Sequence, residues 1–216
     1  MTVKTNEYIS KVILFIEILS NKALDSFSCG GTEKEDITQY WMWDENGIMD
    51  NAEDSSFCFK ITSTILDFND YLSKEIISRA IEYSNKDLKP AAAYLFIRDA
   101  IFHYNNKEYR RSILDASTAI EIALTERLLE EFSNRNIKDK KFINSLLKKY
   151  HSLGGRIDLI IALDIGLPRS PSEYTNFLSR IRNRAIHGGY KSDRIEAKKV
   201  IDIARATVEK YCKIAN

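Results

Sequence analysis

Residues 180–190, RIRNRAIHGGY, bring Arg180, Arg182, Asn183, Arg184 and His187 together just before two glycines. These side-chain types suit phosphate chemistry. A guanidinium is a planar, permanently charged multi-donor for phosphate oxygens, and an imidazole beside a bound phosphate can move protons near neutral pH. The same residues also suit a plainer arrangement, because a cation near a helix C-terminus followed by glycine is ordinary capping and an arginine cluster is often a solvated face. Capping accounts for neither Asn183 nor the surplus of arginines. At the level of residue chemistry both readings stand.

The helix that carries these residues has a recognisable start. Ser170 can cap it, Pro171 suits its first position, and Glu173 completes the spacing of a capping box. At about 100° per residue, Tyr174, Phe177, Leu178, Ile181 and Ala185 form one apolar stripe facing a core. Arg182 falls at the border of that stripe, while Asn183 and His187 point away from it. Arg182 and His187 lie about 140° apart on an ideal helix, so a groove using all three must cover the whole outer face. Another helix or a second subunit has to build its far wall. His187 is expected in the last turn, where the negative end of the helix dipole favours a cation, and Gly188 permits a left-handed terminating turn.

The remaining elements divide near residue 70. Residues 1–70 read as a small strand-containing region. KVILFIEIL, DITQYWMW and SFCFKITSTIL are rich in β-branched and aromatic residues, with CGG and DENG as turn signals between them. The first of these also fits a helical stripe through Ile9, Val12, Ile13, Ile16 and Leu19. Residues 71–216 read as helical, which makes the chain mainly α. A helix over 90–104 follows Pro90, and one over about 107–133 aligns Ile113, Ala116, Ser117, Ile120, Leu124 and Leu128. A third aligns Phe142, Ile143, Leu146, Leu147 and Tyr150 and is expected to end at Gly154 and Gly155. A short apolar segment, 157–165, follows. The last helix, about 194–214, carries Asp193 and Glu196 at capping-box spacing.

Composition narrows the function classes. The 216 residues carry a formal net charge of +1, so contact with nucleic acid must rest on local clustering. Bases gather over 180–199 and 135–149, and acids over 33–54. Cys29, Cys58 and Cys212 lack C-x-x-C spacing and read as reduced thiols of a cytoplasmic protein. The longest apolar run is too short to span a bilayer and contains Glu17, and the N-terminus lacks the pattern of a signal peptide, so no membrane role is expected. Nucleotide-binding and serine-hydrolase motifs are absent. No metal and no cofactor is expected, since clustered ligands are missing and Asp50, Glu53 and Asp54 do not form a calcium loop. His103 and His151 lie near helix ends, where a histidine commonly caps or hydrates. Tyr40, Trp41 and Trp43 suit either base stacking or a strand core.

The run R-N-x-x-x-H-G, here Arg182, Asn183, His187 and Gly188, resembles the signature of HEPN domains. The upstream stretch YRRSILDASTAIEIALTERL resembles the second helix of the ApeA-like branch, with Ala119, Ile120 and Glu121 in the expected place. Together the two stretches extend the resemblance over about residues 86–216. It implies an antiparallel helical bundle, a homodimer in which two copies of the motif meet, and RNA as substrate. Many such proteins are metal-independent endoribonucleases, often toxins or phage-defence effectors controlled by an antitoxin or other regulatory protein. Others have lost activity and serve as dimerisation or RNA-binding modules, the alternative for this chain.

The implied chemistry is attack of the ribose 2′-hydroxyl on the adjacent phosphate, with one His187 as base and the His187 of a second copy as acid. Arg182 would hold the phosphate and its developing charge, and Asn183 would orient phosphate or imidazole. Arg180 and Arg184 would add to RNA binding. Glu121, at the border of its helix's apolar stripe, invites a cationic partner such as Arg182, although a plain surface acid fits the pattern too.

Overall fold

The computed structural model describes residues 2–20, 26–28, 38–44, 47–49, 57–62, 73–187 and 190–215, with side chains from 7–20, 73–187 and 190–215. The chain is mainly helical and parts into two compact units, Met1–Lys89 and Pro90–Asn216. The division comes later than the composition change near residue 70, because one helix beyond that point belongs with the N-terminal unit.

In the first unit, the segment readable as strand or helix is helix α1, Thr2–Ser20. The helical stripe decides it: Ile9, Val12, Phe15 and Ile16 are all buried. Phe15 meets Tyr83 of α2, Lys74–Asn85, edge to face with centroids 5.3 Å apart. Ser73 caps α2 by accepting from the Ile76 N–H at 3.2 Å. Lys11 pairs with Asp87, and the Tyr8 hydroxyl donates to Asn85 at 2.8 Å. The strands are β1 Ser26–Ser28, β2 Thr38–Asp44, β3 Gly47–Met49 and β4 Phe57–Thr62, in antiparallel order β1-β4-β2-β3. Trp41 is opposite Phe59 in the register. The CGG turn and Asp50, Glu53 and Asp54 lie outside the described residues, as do Glu45 and Asn46 of DENG and the side chains of Tyr40, Trp41 and Trp43.

The second unit is a helical bundle built around α4, Tyr109–Asn134, which packs against α3 (Ala92–Asn105), α6 (Leu153–Ala162), α7 (Ser179–Ile186) and α8 (Arg194–Tyr211). Its expected stripe of Ile113, Ala116, Ser117, Ile120, Leu124 and Leu128 is buried, and so are Ala119, Ala123 and Phe132 on other sides. A helix with apolar side chains most of the way round belongs inside a bundle. The alanines let its neighbours approach closely.

Several local expectations are corrected. Pro90 lies before the first turn of α3, bridged to Ala215, and Ala91 is the capping residue. Gly154 and Gly155 do not end α5, Lys140–Lys149. They open α6, whose cap Ser152 accepts from the Gly155 N–H at 3.1 Å. Short polar caps at Asp139 and Ser152 outweigh the tendency of glycine to terminate. The α5 stripe is less covered than its periodicity suggests, for Phe142 is 50% exposed and no α5 residue is fully buried.

Before α7 the chain takes a wider turn over Glu173–Leu178, where the Ser179 N–H reaches back five residues to the Tyr174 carbonyl. The Ser179 hydroxyl donates to the same carbonyl at 3.0 Å, which explains the widening. Tyr174, Leu178, Ile181 and Ala185 are nevertheless all fully buried. The start is half a capping box: Glu173 accepts from the Ser170 N–H at 3.2 Å and from its hydroxyl at 3.1 Å, so that hydroxyl donates to a carboxylate. Asp193 caps α8 by accepting from the Glu196 N–H at 2.8 Å. No helix among the described residues is long and apolar enough to cross a membrane.

Candidate functional site

The helix bearing the motif ends one residue early. Ile186 is the last residue of α7, and His187 has left the helix with extended backbone (φ −73°, ψ 132°), its N–H still donating to the Asn183 carbonyl at 3.3 Å. An ideal helical wheel therefore does not describe where His187 points. The cation that meets the negative end of α7 is not His187 but Arg110 from the first turn of α4. Its Nε donates to the Ala185 carbonyl at 2.6 Å and its Nη2 to the Ile186 carbonyl at 3.3 Å. Arg110 thus satisfies carbonyls that a helix end leaves without partners and fixes where His187 emerges. The expected role of Gly188 lies outside the described residues.

His187 is exposed and shares one open hollow of about 390 Å³ with Arg180, Asn183, Arg184 and Tyr190. The side chains of Arg180, Asn183 and His187 make no hydrogen bond within the described residues, so their polar atoms are available to a ligand. Arg184 is held differently. Its guanidinium lies 4.0 Å from the centre of the Tyr190 ring and 4.0 Å from a Glu196 carboxylate oxygen. The Tyr190 hydroxyl donates to Glu196 as well. Burial, followed by the Glu196 hydrogen bond, raises the Tyr190 phenol above its usual range, so Tyr190 stays a neutral wall of the hollow.

Arg182 does not line that hollow. Its Nη2 donates to Glu121 Oε1 on α4 at 3.0 Å, and both side chains are about a quarter exposed. The carboxylate at the stripe border of α4 and the guanidinium at the stripe border of α7 meet where the two helices pack. A second arginine stands by this pair: Arg156 of α6, whose Nε and Nη1 are buried without a hydrogen-bond partner in the structure. Burial pushes the Arg156 guanidinium below its ordinary value, and the Glu121 charge opposes that shift. Glu121 therefore serves two cations.

Sequence reasoning missed Arg110, Arg156 and Tyr190. Arg156 carried a signal, being the one base in the apolar run LGGRIDLIIA. The other two depend on which helix end meets which, and no local pattern records that.

The other histidines are occupied. His103 Nδ1 is 2.6 Å from Glu108 and its Nε2 is 3.5 Å from Asp115, whose carboxyl burial raises above the usual range. His151 Nδ1 lies 3.1 Å from the Lys148 carbonyl. Among the three histidines only His187 has an uncommitted ring. Among the described residues no three His, Cys, Asp or Glu side chains are grouped to hold a metal ion. Comparison with protein-family models, with curated proteins and with solved structures finds no match to this chain.

Proposed function

We propose that the protein is a metal-independent endoribonuclease of the HEPN type that works as a homodimer. One observation carries this reading: an uncommitted imidazole, an uncommitted amide and two guanidiniums converge on one open hollow at the end of α7, while the motif arginine is buttressed from α4. RNA supplies its own nucleophile. One His187 removes the 2′-hydroxyl proton as that oxygen attacks phosphorus. The P–O5′ bond breaks, and the His187 of the second copy gives its proton to the leaving oxygen, so a 2′,3′-cyclic phosphate and a 5′-hydroxyl result. A single chain offers one free histidine, and the second proton carrier requires the second copy. Ile186, 43% exposed beside His187, provides apolar surface for that contact.

In this scheme Arg180 and Asn183 hold the scissile phosphate. Arg182 is oriented by Glu121 so that its remaining N–H groups face the developing charge of the paired site. A second reading, a dimeric RNA-binding module without cleavage, is favoured by one observation: within one chain Arg182 is committed to Glu121 and stands outside the hollow. Incubating mixed RNA with wild type and with His187→Ala separates them. The ribonuclease reading expects cleavage by the first alone, whereas the module reading expects binding by both and cleavage by neither.

A further inference from the structure

A second hollow, of about 470 Å³, opens beside the first and shares Tyr190 with it. Its lining comes from the start of α4 (Lys107, Glu108, Tyr109, Arg110, Arg111) and from the segment before α8 (Tyr190, Lys191, Ser192). We propose that this hollow binds the sugar–phosphate backbone of single-stranded RNA running on from the His187 hollow, with Lys107 and Lys191 as phosphate ligands. The inference rests on the ribonuclease reading for the identity of its ligand.

The charge arrangement favours a polyanion. The one acid among the lining residues, Glu108, is already engaged: it lies 2.6 Å from His103 Nδ1 and accepts from Arg111 at 3.2 Å. These contacts hold its carboxyl below the usual range, so it stays charged and paired and does not neutralise the lysines. Lys107 and Lys191 are exposed and make no ion pair within the described residues. No side chain caps the first turn of α4, so the positive end of this long helix adds to the same field.

Two features point to a single strand. Tyr109 and Tyr190 are half-buried in the lining, and unstacked bases can use such rings where the bases of a duplex cannot. Tyr109 is backed by Tyr104, centroids 5.8 Å apart, and Arg194 donates to the Tyr104 hydroxyl at 3.0 Å, which holds that ring group in place. Arg110 belongs to both ends of the track, since it lines this hollow and fixes the end of α7 from which His187 emerges. A strand crossing Tyr190 would thus bring its next phosphates onto lysines.

The test uses full-length His187→Ala, which removes cleavage from the readout, and a fluorescent single-stranded RNA oligonucleotide titrated at several salt concentrations. Adding Lys107→Gln and Lys191→Gln is expected to weaken binding roughly tenfold and to flatten the slope of log affinity against log salt by about 1.4, the loss of two phosphate contacts. Lys148→Gln with Lys149→Gln, on α5, is the control and should change little. Unchanged affinity and slope in the Lys107/Lys191 variant would overturn the track, as would an equal loss in the control or failure of the parent to bind RNA. Wild-type cleavage is scored separately. If cleavage is absent while the Lys107/Lys191 effect is present, the ribonuclease reading fails and the binding track holds; cleavage with no such effect gives the reverse.

Discussion

At the scale of single residues, the polar groups left free set the end of α7 apart from the rest of the bundle. His187 is exposed, has left its helix and makes no side-chain hydrogen bond, so removing it should cost little stability, and on the ribonuclease reading it should cost activity. His187→Ala is expected to abolish RNA cleavage with the melting temperature within a few degrees of wild type; calorimetry beside a cleavage assay checks both. Glu121 should behave in the opposite way. It faces Arg182 and the half-buried Arg156, so Glu121→Gln leaves two guanidiniums without their shared counter-charge. The cost expected from denaturant unfolding is about 2 kcal/mol, between exposed and fully buried pairs. Arg182→Ala should cost less, about 1 kcal/mol, because Arg156 remains to pair with Glu121. The partnership of Glu121 and Arg182 was legible in the sequence because each sits at the edge of its own apolar stripe. Arg156 stood out only as the one base of an apolar run, and its place beside Glu121 was not legible, because what surrounds it comes from other helices.

At the scale of elements, the end of α7 is the feature that would position the chemistry of the ribonuclease reading. Periodicity gave the buried face of this helix, and Tyr174, Leu178, Ile181 and Ala185 are buried despite the widened turn ahead of it. It did not give the helix end, which is set by Arg110 reaching from α4, a contact between residues 75 apart in sequence. Arg110→Ala should free the Ala185 and Ile186 carbonyls, cost about 1–3 kcal/mol as a charge-assisted contact is lost, and lower kcat by misplacing His187. A second prediction concerns α4 and pH. Arg135, then Arg127, hold the Glu131 carboxyl below its ordinary value of 4.5. A folded-state value lowered in this way stabilises the fold above the unfolded value, and the contribution is lost as pH falls through the lowered one. Glu131→Gln should therefore melt below wild type at pH 7, with the difference closing in acid as pH falls through the lowered folded-state value and the wild-type carboxylate protonates. The opposite trend, a gap that widens in acid, would contradict the assignment.

At the scale of the whole molecule, the mainly helical character and the helical second half were readable because amphipathic spacing and caps agree along residues 90–215. The division at Lys89 was not, since α2 resembles the helices that follow it and is joined to α1 through side chains such as Phe15 with Tyr83 and Tyr8 with Asn85. On the ribonuclease reading one chain supplies one of the two histidines required, so specific activity should fall on dilution in step with the dimer population. Analytical ultracentrifugation beside activity measurements checks this, and a fully active monomer would contradict the two-copy site. The most direct measurement of the central claim is the chemistry of the cut ends. Purified protein is incubated with RNA in excess EDTA, and the products are resolved by mass spectrometry. The ribonuclease reading predicts undiminished cleavage leaving 2′,3′-cyclic phosphate and 5′-hydroxyl ends; cleavage abolished by EDTA and restored by magnesium, or products with 5′-phosphate ends, would contradict it.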